Sequence, residues 1–451
     1  MASTDWISDA YEALRTFRDE KLTELAHRVV NDSDAAFDFV RRGIREVEDI
    51  REYEGSFEIP RLFTQIVSYV SNDRLPELAR LAVERSELGP SEPASQLIRE
   101  IALQAPQAFQ GLHRQLFDLL WLHPDVQVAA PDDFGGTYIW QAGLDWFDWA
   151  SPFEGCSQEV VEFLQSKAAS PDRLERFKAL WCLLESSRPD VLVKTAQALA
   201  PLTSEPPLLE NRHGIRARCY RKSVEDLLHA RGYGLTSEGN LRRLFEPANL
   251  ALIELDADSQ KQPTIWPHPS ERIAAADIVG HSSTGGAVAG ATCGLCGGPL
   301  TMLLELGELP KSLWSRGPSR LAICIDCIEI AQHVLSYRHH VDGSLASLDH
   351  ADLAIEPEFG RRPPYDAKPL TVVRTNPRWK HSGHMKNQLG GLPEYSQLPE
   401  YPKCQSCDRE MEFLLQLDCD VGGRTWFAYP SGTAFAFWCA ECSISAWIAQ
   451  P

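Results

Sequence analysis

Four Cys-x-x-Cys pairs constrain this chain more than any other feature: Cys293/Cys296, Cys324/Cys327, Cys404/Cys407 and Cys439/Cys442. They form two sets, with about thirty residues between the pairs of each set. A CxxC turn aims two thiolates at one point, and two such turns complete a tetrahedron around zinc. The intervening loop is long enough for a β-hairpin that returns the chain to the metal. A single CxxC can be a redox motif, but that reading needs a thioredoxin-like βαβ context, which is absent here. Two zinc ions are therefore expected, each held by the adjacent pairs of one set. A cross-braced exchange of pairs between the sets is the alternative. Four thiolates close the coordination of zinc and leave no position for water, so the metal should hold the fold rather than catalyse. Cys419 stands outside the pattern.

The pairs belong to a longer phrase written twice. Cys293–Leu306 reads CGLCGGPLTMLLEL, and Cys404–Leu417 reads CQSCDREMEFLLQL. Gly280-His281 and Gly285-Gly286 precede the first phrase; Gly383-His384 and Gly390-Gly391 precede the second. LAIC ending at Cys324 matches AFWC ending at Cys439 in position. An internal duplication is the simplest account. It predicts two similar subdomains, about 280–345 and 383–451, packed about a pseudo-two-fold. The strand LLQL is expected to bury alternate residues, with Gln416 hydrogen-bonded across the sheet or to a loop.

The remaining texture divides the chain. Leu14, Phe17, Leu22, Leu25 and Val29 recur at helical spacing, as do Leu174, Phe177, Leu180, Trp181 and Leu184. Pro189-Asp190 should open a helix that Pro201 ends. Residues 1–232 thus read as an all-α, solenoid-like array of helical hairpins, without a clean repeat period. Trp140, Trp146 and Trp149 suggest helix–helix core, and lone Cys156, Cys182 and Cys219 suggest buried small side chains. From 233 to 451 proline and glycine rise, and short runs such as LALIEL, LAICI, LTVV and AFAFW read as strands. Short helices are expected at EIAQHVL after Cys327 and at the final SAWIA. An acidic, proline-rich piece around Ile355–Lys368 should link the two subdomains. The fold class is α+β.

Charge limits the partners. The chain carries 44 Lys/Arg and 63 Asp/Glu, a net charge of −19. Residues 1–230 hold 25 of the basic and 38 of the acidic residues, so the excess sits mostly in the helical half. Such a field repels nucleic acid and anionic membranes and favours a basic protein partner. MASTDWISDAYEALRTF has neither a basic n-region nor an apolar h-region, and no run approaches the roughly 18–20 apolar residues of a membrane helix. A cytoplasmic, reduced protein is expected. Catalytic motifs are sparse: there is no GxSxG, P-loop or strand-linked GxGxxG. His381 and His384 form HSGH without an HExxH glutamate, and His339-His340 follow the first cysteine set. The enzyme alternative is an unrecognised site around His381 and His384.

QLGGLPEYSQ (Gln388–Gln397), then CQSCDREMEFLLQLD and YPSGTAFAFWCAEC, resembles the YwqG-like family of bacteria and the related programmed-cell-death-protein-2-like family of eukaryotes. The resemblance covers Gln388 to Cys442; the first copy matches it only in degenerate form. It implies metal ligation by Cys404, Cys407, Cys439 and Cys442, and by repetition by Cys293, Cys296, Cys324 and Cys327. It also implies a structural turn at Gly390, Gly391, Pro393 and Gln397. The eukaryotic relatives are similar to escort proteins for a basic ribosomal protein, and the bacterial ones are associated with toxin–immunity loci. A non-enzymatic immunity protein that neutralises a basic toxin is the expected function. A chaperone or adaptor for a basic, ribosomal-type protein is the alternative.

Overall fold

The computed structural model describes residues 28–29, 31–46, 66–87, 92–119, 152–186, 188–204, 223–246, 249–253, 278–314, 317–330, 334–349, 364–374, 387–393, 395, 399–418 and 432–450. They fall into two compact units that divide between Val224 and Glu225. No helix among the described residues is long and apolar enough to cross a membrane. Trp140, Trp146, Trp149, Cys219, His381, His384, Gln397 and Cys419 lie outside the described residues.

The first unit is helical. In chain order it contains α1 (Ser33–Glu46), α2 (Leu75–Glu87), α3 (Glu92–Gln104), a 3-10 turn at Pro106–Phe109, α4 (His113–Leu119), α5 (Gln158–Ala168), α6 (Arg173–Glu185) and α7 (Pro189–Ser204). Helix α2 buries Leu75, Leu78, Ala79, Ala82 and Val83, the stripe that its three- and four-residue spacing dictates. Ser157 caps α5 by accepting a hydrogen bond from the Val160 N–H. Consecutive helices pack in pairs: α2 on α3, α5 on α6, and α6 on α7.

Two details depart from the sequence reading. Helix α6 buries a continuous run from Phe177 through Trp181 to Leu184, because α5 and α7 cover it from two sides. Helix α7 runs through Pro201 to Ser204 rather than ending there. So close to the helix end, the missing proline N–H removes a single bond, which the last turn tolerates. Cys156 and Cys182 are buried, as their apolar neighbours suggest, and burial pushes both thiols above their ordinary range.

The second unit is a large antiparallel sheet. It opens with α8 (Val224–His229) and a small hairpin of β1 (Tyr233–Leu235) and β2 (Leu241–Arg243). Then follow β3 (Asn249–Ile253), β4 (Ile278–Thr284), β5 (Ala287–Thr292), β6 (Pro299–Leu306), β7 (Arg320–Ile323), a short α9 (Cys327–Ile330), β8 (Leu335–His339) and β9 (Leu345–Ser347). The chain continues with β10 (Lys368–Arg374), β11 (Gln388–Gly390), β12 (Glu412–Asp418), β13 (Thr433–Cys439) and β14 (Ile444–Gln450). Twelve of these strands form one sheet in the order β5-β6-β4-β10-β3-β11-β12-β13-β14-β8-β9, with β7 on the other edge of β6. β9 also packs against β5, so the two ends of the strand path meet.

The order reads the same outward from the central β10–β3 pair: β4, β6 and β7 on one side, β11, β12 and β13 on the other. Strand β3 lies upstream of β4 in sequence yet pairs with β11, and β10 lies upstream of β11 yet pairs with β4. Equivalent registers recur, with Ser283 opposite Glu305 and Gln388 opposite Gln416. The β6–β7 ladder shifts between Met302 and Leu304, and the β12–β13 ladder shifts between Phe413 and Leu415. Leu303 and Leu414 are therefore the bulged residues. After the paired registers the chain turns through Gly285-Gly286 and Gly390-Gly391, and all four glycines have positive φ.

The core explains why β12–β14 are strands. One cluster gathers Leu303, Leu304, Leu415, Leu417, Trp438 and Trp447; the other gathers Phe413, Phe435, Phe437, Ile444 and Ile448. With a cluster on each side, β12 is buried along nearly its whole length rather than at alternate residues. Gln416 is buried among them, and opposite it Gln388 donates to the Leu392 carbonyl at 2.8 Å. SAWIA is part of β14, not a helix, because its backbone completes the ladder to β13. Of the described residues of the EIAQHVL run, Glu329 and Ile330 lie in α9 and Leu335 opens β8.

Candidate metal centres

Each CxxC turn is shaped by its own backbone. In the first, Cys293 N–H donates to the Gly298 carbonyl and Gly297 N–H to the Cys293 carbonyl, both at 2.8 Å. In the second, Cys404 N–H donates to Arg409 and Asp408 N–H to Cys404, again at 2.8 Å. The residue before each closing carbonyl is left-handed: Gly297 has φ 69° and Asp408 has φ 58°. Asp is among the few side-chain-bearing residues that accept this conformation readily. The distal turns differ. Cys327 opens α9, whereas Cys442 leads through Ser443, at φ 53°, straight into β14.

The folding of each hairpin brings its two turns together. Cys293, Cys296, Cys324 and Cys327 form one group, and Cys404, Cys407, Cys439 and Cys442 form another, with all sulfurs of a group within 4.8 Å of one another. Adjacent pairs are thus grouped, and no pair is exchanged between sets. Cys293 Sγ lies 3.7 Å from Cys327 Sγ, Cys296 Sγ lies 3.5 Å from Cys324 Sγ, and Cys407 Sγ lies 3.7 Å from Cys439 Sγ. A tetrahedron with metal–sulfur bonds of about 2.3 Å has edges of about 3.8 Å, so the separations fit an ion at each centre. They are far longer than the roughly 2 Å of a disulfide. Each group can hold one metal ion.

Electrostatics points the same way. In the first group, hydrogen bonds from Cys324 and Cys327 hold the Cys293 thiol well below its ordinary range. The same contacts push Cys324 and Cys327 up. Such crowded sulfurs cannot all ionise by themselves; a divalent cation removes the conflict. In the second group the Arg409 guanidinium beside Cys407 holds its thiol down, to about 6. Arg409 also pairs with Glu441, which sits between Cys439 and Cys442, so a salt bridge ties one CxxC turn to the other. The first group is buried throughout, while Cys407 and Cys442 of the second are half-buried.

The β8–β9 hairpin connects the centres. Tyr337 Oη accepts a hydrogen bond from the Cys324 N–H at 3.0 Å. On the same strand Arg338 donates to Ser406 Oγ of the second knuckle, also at 3.0 Å. Asp349 accepts from Gln405 Nε2 at 2.9 Å and from the Ser336 N–H at 2.6 Å. Its carbonyl oxygen would lie 1.9 Å from a Cβ at position 294, so only glycine fits there in the first knuckle. Gly294 and Gln405 each follow the opening cysteine of their knuckle, and both abut Asp349.

The histidines divide. His339 is half-buried and stands edge-on against Trp438, and its Nε2 is 2.9 Å from Ser445 Oγ. Burial, with His340 adding to it, pushes its pKa down to about 4. Among the described residues His339 belongs to none of the groups that could hold a metal ion. A third group went unnoticed in the sequence: Glu225, His229 and Glu410 bring their ligand atoms within 4.8 Å of one another. The i, i+4 spacing of Glu225 and His229 was visible, but Glu410 lies 181 residues beyond His229. No family model, no curated protein and no solved structure matches the chain.

Proposed function

We propose that the protein is a zinc-stabilised binding protein with no catalytic role for its cysteine-bound metals, and that its partner is a basic protein. The observation that carries this reading is closure. Each cysteine group offers four sulfurs, so an ion there keeps no position for water or substrate. Zinc is the ion we assign, because four thiolates at tetrahedral separations suit it and it imposes no geometry of its own. Function then resides on surfaces that the metals hold in place. The net charge of −19 supports a basic partner drawn in by long-range attraction.

The form of binding protein we favour is a bacterial immunity protein that neutralises a toxin. The resemblance of Gln388–Cys442 to YwqG-like proteins supports it, and we propose membership of that family. We also read the sheet as an internal duplication, one copy holding β3, β4, β6 and β7 and the other β10, β11, β12 and β13. The strand order, the paired glycines, the matched bulges and the matched knuckle hydrogen bonds support this reading. The helical unit is read as stacked hairpins on the packing of consecutive helices.

The test has two arms. Metal analysis of the purified chain should give two zinc ions per molecule; none or one would overturn the zinc assignment. Co-expression with toxins encoded beside its own gene should restore growth and yield a stable complex that high salt weakens. Absence of protection together with enrichment of ribosomal proteins would replace the immunity reading with a chaperone for a basic protein.

A further inference from the structure

The cluster of Glu225, His229 and Glu410 contains none of the cysteine sulfurs and has a different chemistry. Glu225 and His229 stand one turn apart on α8, and Glu410 follows the second knuckle. His229 Nε2 is 2.8 Å from Glu410 Oε1, and the two side chains are only 9% and 11% exposed. Glu225 is exposed to solvent, and one of its carboxylate oxygens lies within 4.8 Å of the ligand atoms of both His229 and Glu410.

The surroundings hold these groups in place. The Tyr401 ring tilts against His229 with centroids 5.1 Å apart, which fixes the imidazole plane. Arg242 Nη2 donates to the main-chain carbonyl of Glu410 and pins the backbone. The second carboxylate oxygen, Oε2, occupies the space above Gly234, where a Cβ would lie 1.9 Å away. Only a glycine at 234 lets the carboxylate sit there. Two carboxylates this close repel unless a proton or a cation lies between them. The nearby Arg242 offsets part of this repulsion, but it directs its hydrogen bond to the carbonyl and not to the carboxylates.

We propose that Glu225, His229 and Glu410 bind one divalent first-row transition ion, with at least one coordination position left to water. One imidazole and two carboxylates are borderline-to-hard donors that suit Zn2+ or Mn2+; an imidazole disfavours Ca2+ and Mg2+. The ion takes the place of the direct contact between His229 Nε2 and Glu410 Oε1. It differs from the cysteine centres in being open to solvent through Glu225, so it exchanges with free metal. It also fastens α8 to the strand segment that leaves the second knuckle. This inference stands apart from the binding-protein reading and does not depend on it.

The experiment uses the full chain with its cysteine centres zinc-filled, equilibrated with a small excess of Zn2+ or Mn2+ and weighed by native mass spectrometry. The wild type is expected to carry a third ion. Glu225→Gln and His229→Gln should each weaken that third binding at least ~10-fold and leave the first two ions in place. Added Zn2+ should raise the melting temperature of the wild type and leave both variants unmoved. Two ions in the wild type under excess metal would overturn the proposal, as would a third ion retained by both variants. Because Glu225 is exposed, its variant keeps the test decisive if His229→Gln fails to fold.

Discussion

Leu303 and Leu414 are the extra residues of two β-bulges, and each stands at the same distance in sequence from the opening cysteine of its knuckle. Both are fully buried, at 0% and 2% exposure. A bulge re-aims the strand that follows, so each leucine sets the course of the strand that leaves its knuckle. Leu303→Ala and Leu414→Ala should each destabilise the zinc-loaded protein by about 2–5 kcal/mol through lost burial and a residual cavity. Denaturant melts of the two variants should agree closely. A loss below ~1 kcal/mol for either would show that the two positions are not equivalent.

The two cysteine centres should lose metal in order. Cys407 and Cys442 are half-buried, whereas Cys293, Cys296, Cys324 and Cys327 are all enclosed. A chelator attacks through exposed ligands, so zinc release monitored with a chromogenic indicator should be biphasic. The fast phase should vanish in Cys407→Ser and persist in Cys296→Ser. A single phase in the wild type would count against the asymmetry.

The paired glycines give a graded test. Gly285 has φ 95° and a Cβ there would lie 2.4 Å from the Asp366 carbonyl oxygen; Gly286 has φ 92° and a Cβ would meet nothing nearer than 3.9 Å. Gly286→Ala therefore costs backbone strain alone, about 1–2 kcal/mol. Gly285→Ala adds a clash with backbone and should cost clearly more. Equal melting temperatures for the two variants would contradict this account.

His339 makes stability depend on pH in a defined direction. Burial lowers its pKa from 6.5 to about 4 in the folded chain. The unfolded chain therefore takes up a proton first as pH falls. Stability from the neutral imidazole is fully present above about 6.5 and is lost progressively as pH drops toward 4, by about 3 kcal/mol in all. His339→Gln should flatten that part of the stability–pH curve relative to wild type, measured by denaturant melts between pH 4 and 7. An unchanged slope would remove His339 as its source.

What the sequence revealed followed the range of the interactions concerned. CxxC spacing is local and chemically specific, so the eight cysteines and their grouping by adjacent pairs could be read directly. The doubled glycine pairs were visible for the same reason, since a left-handed turn is written in one or two residues. Strand partners were not. Nothing near Asn249 says that β3 will pair with β11, and the helical look of SAWIA holds only until β13 offers it a ladder. Pro201 predicts a stop because an isolated helix would end there; α7 carries it in its last turn. His229 and Glu410 meet only because α8 is packed beside the second knuckle, a relation no local pattern encodes.

The traded strands also bear on how the chain is made. During vectorial synthesis β3 and β4 emerge long before their partners β11 and β10, and β8 must wait for β14. Until then β3, β4 and β8 present open strand edges to their surroundings. Such edges invite pairing with other chains. Co-translational capture of zinc by Cys293, Cys296, Cys324 and Cys327 would pin the β6–β7 hairpin through that interval. With an ion bound, the first cysteine group would act as a holding device for a nascent chain, before the sheet it belongs to exists.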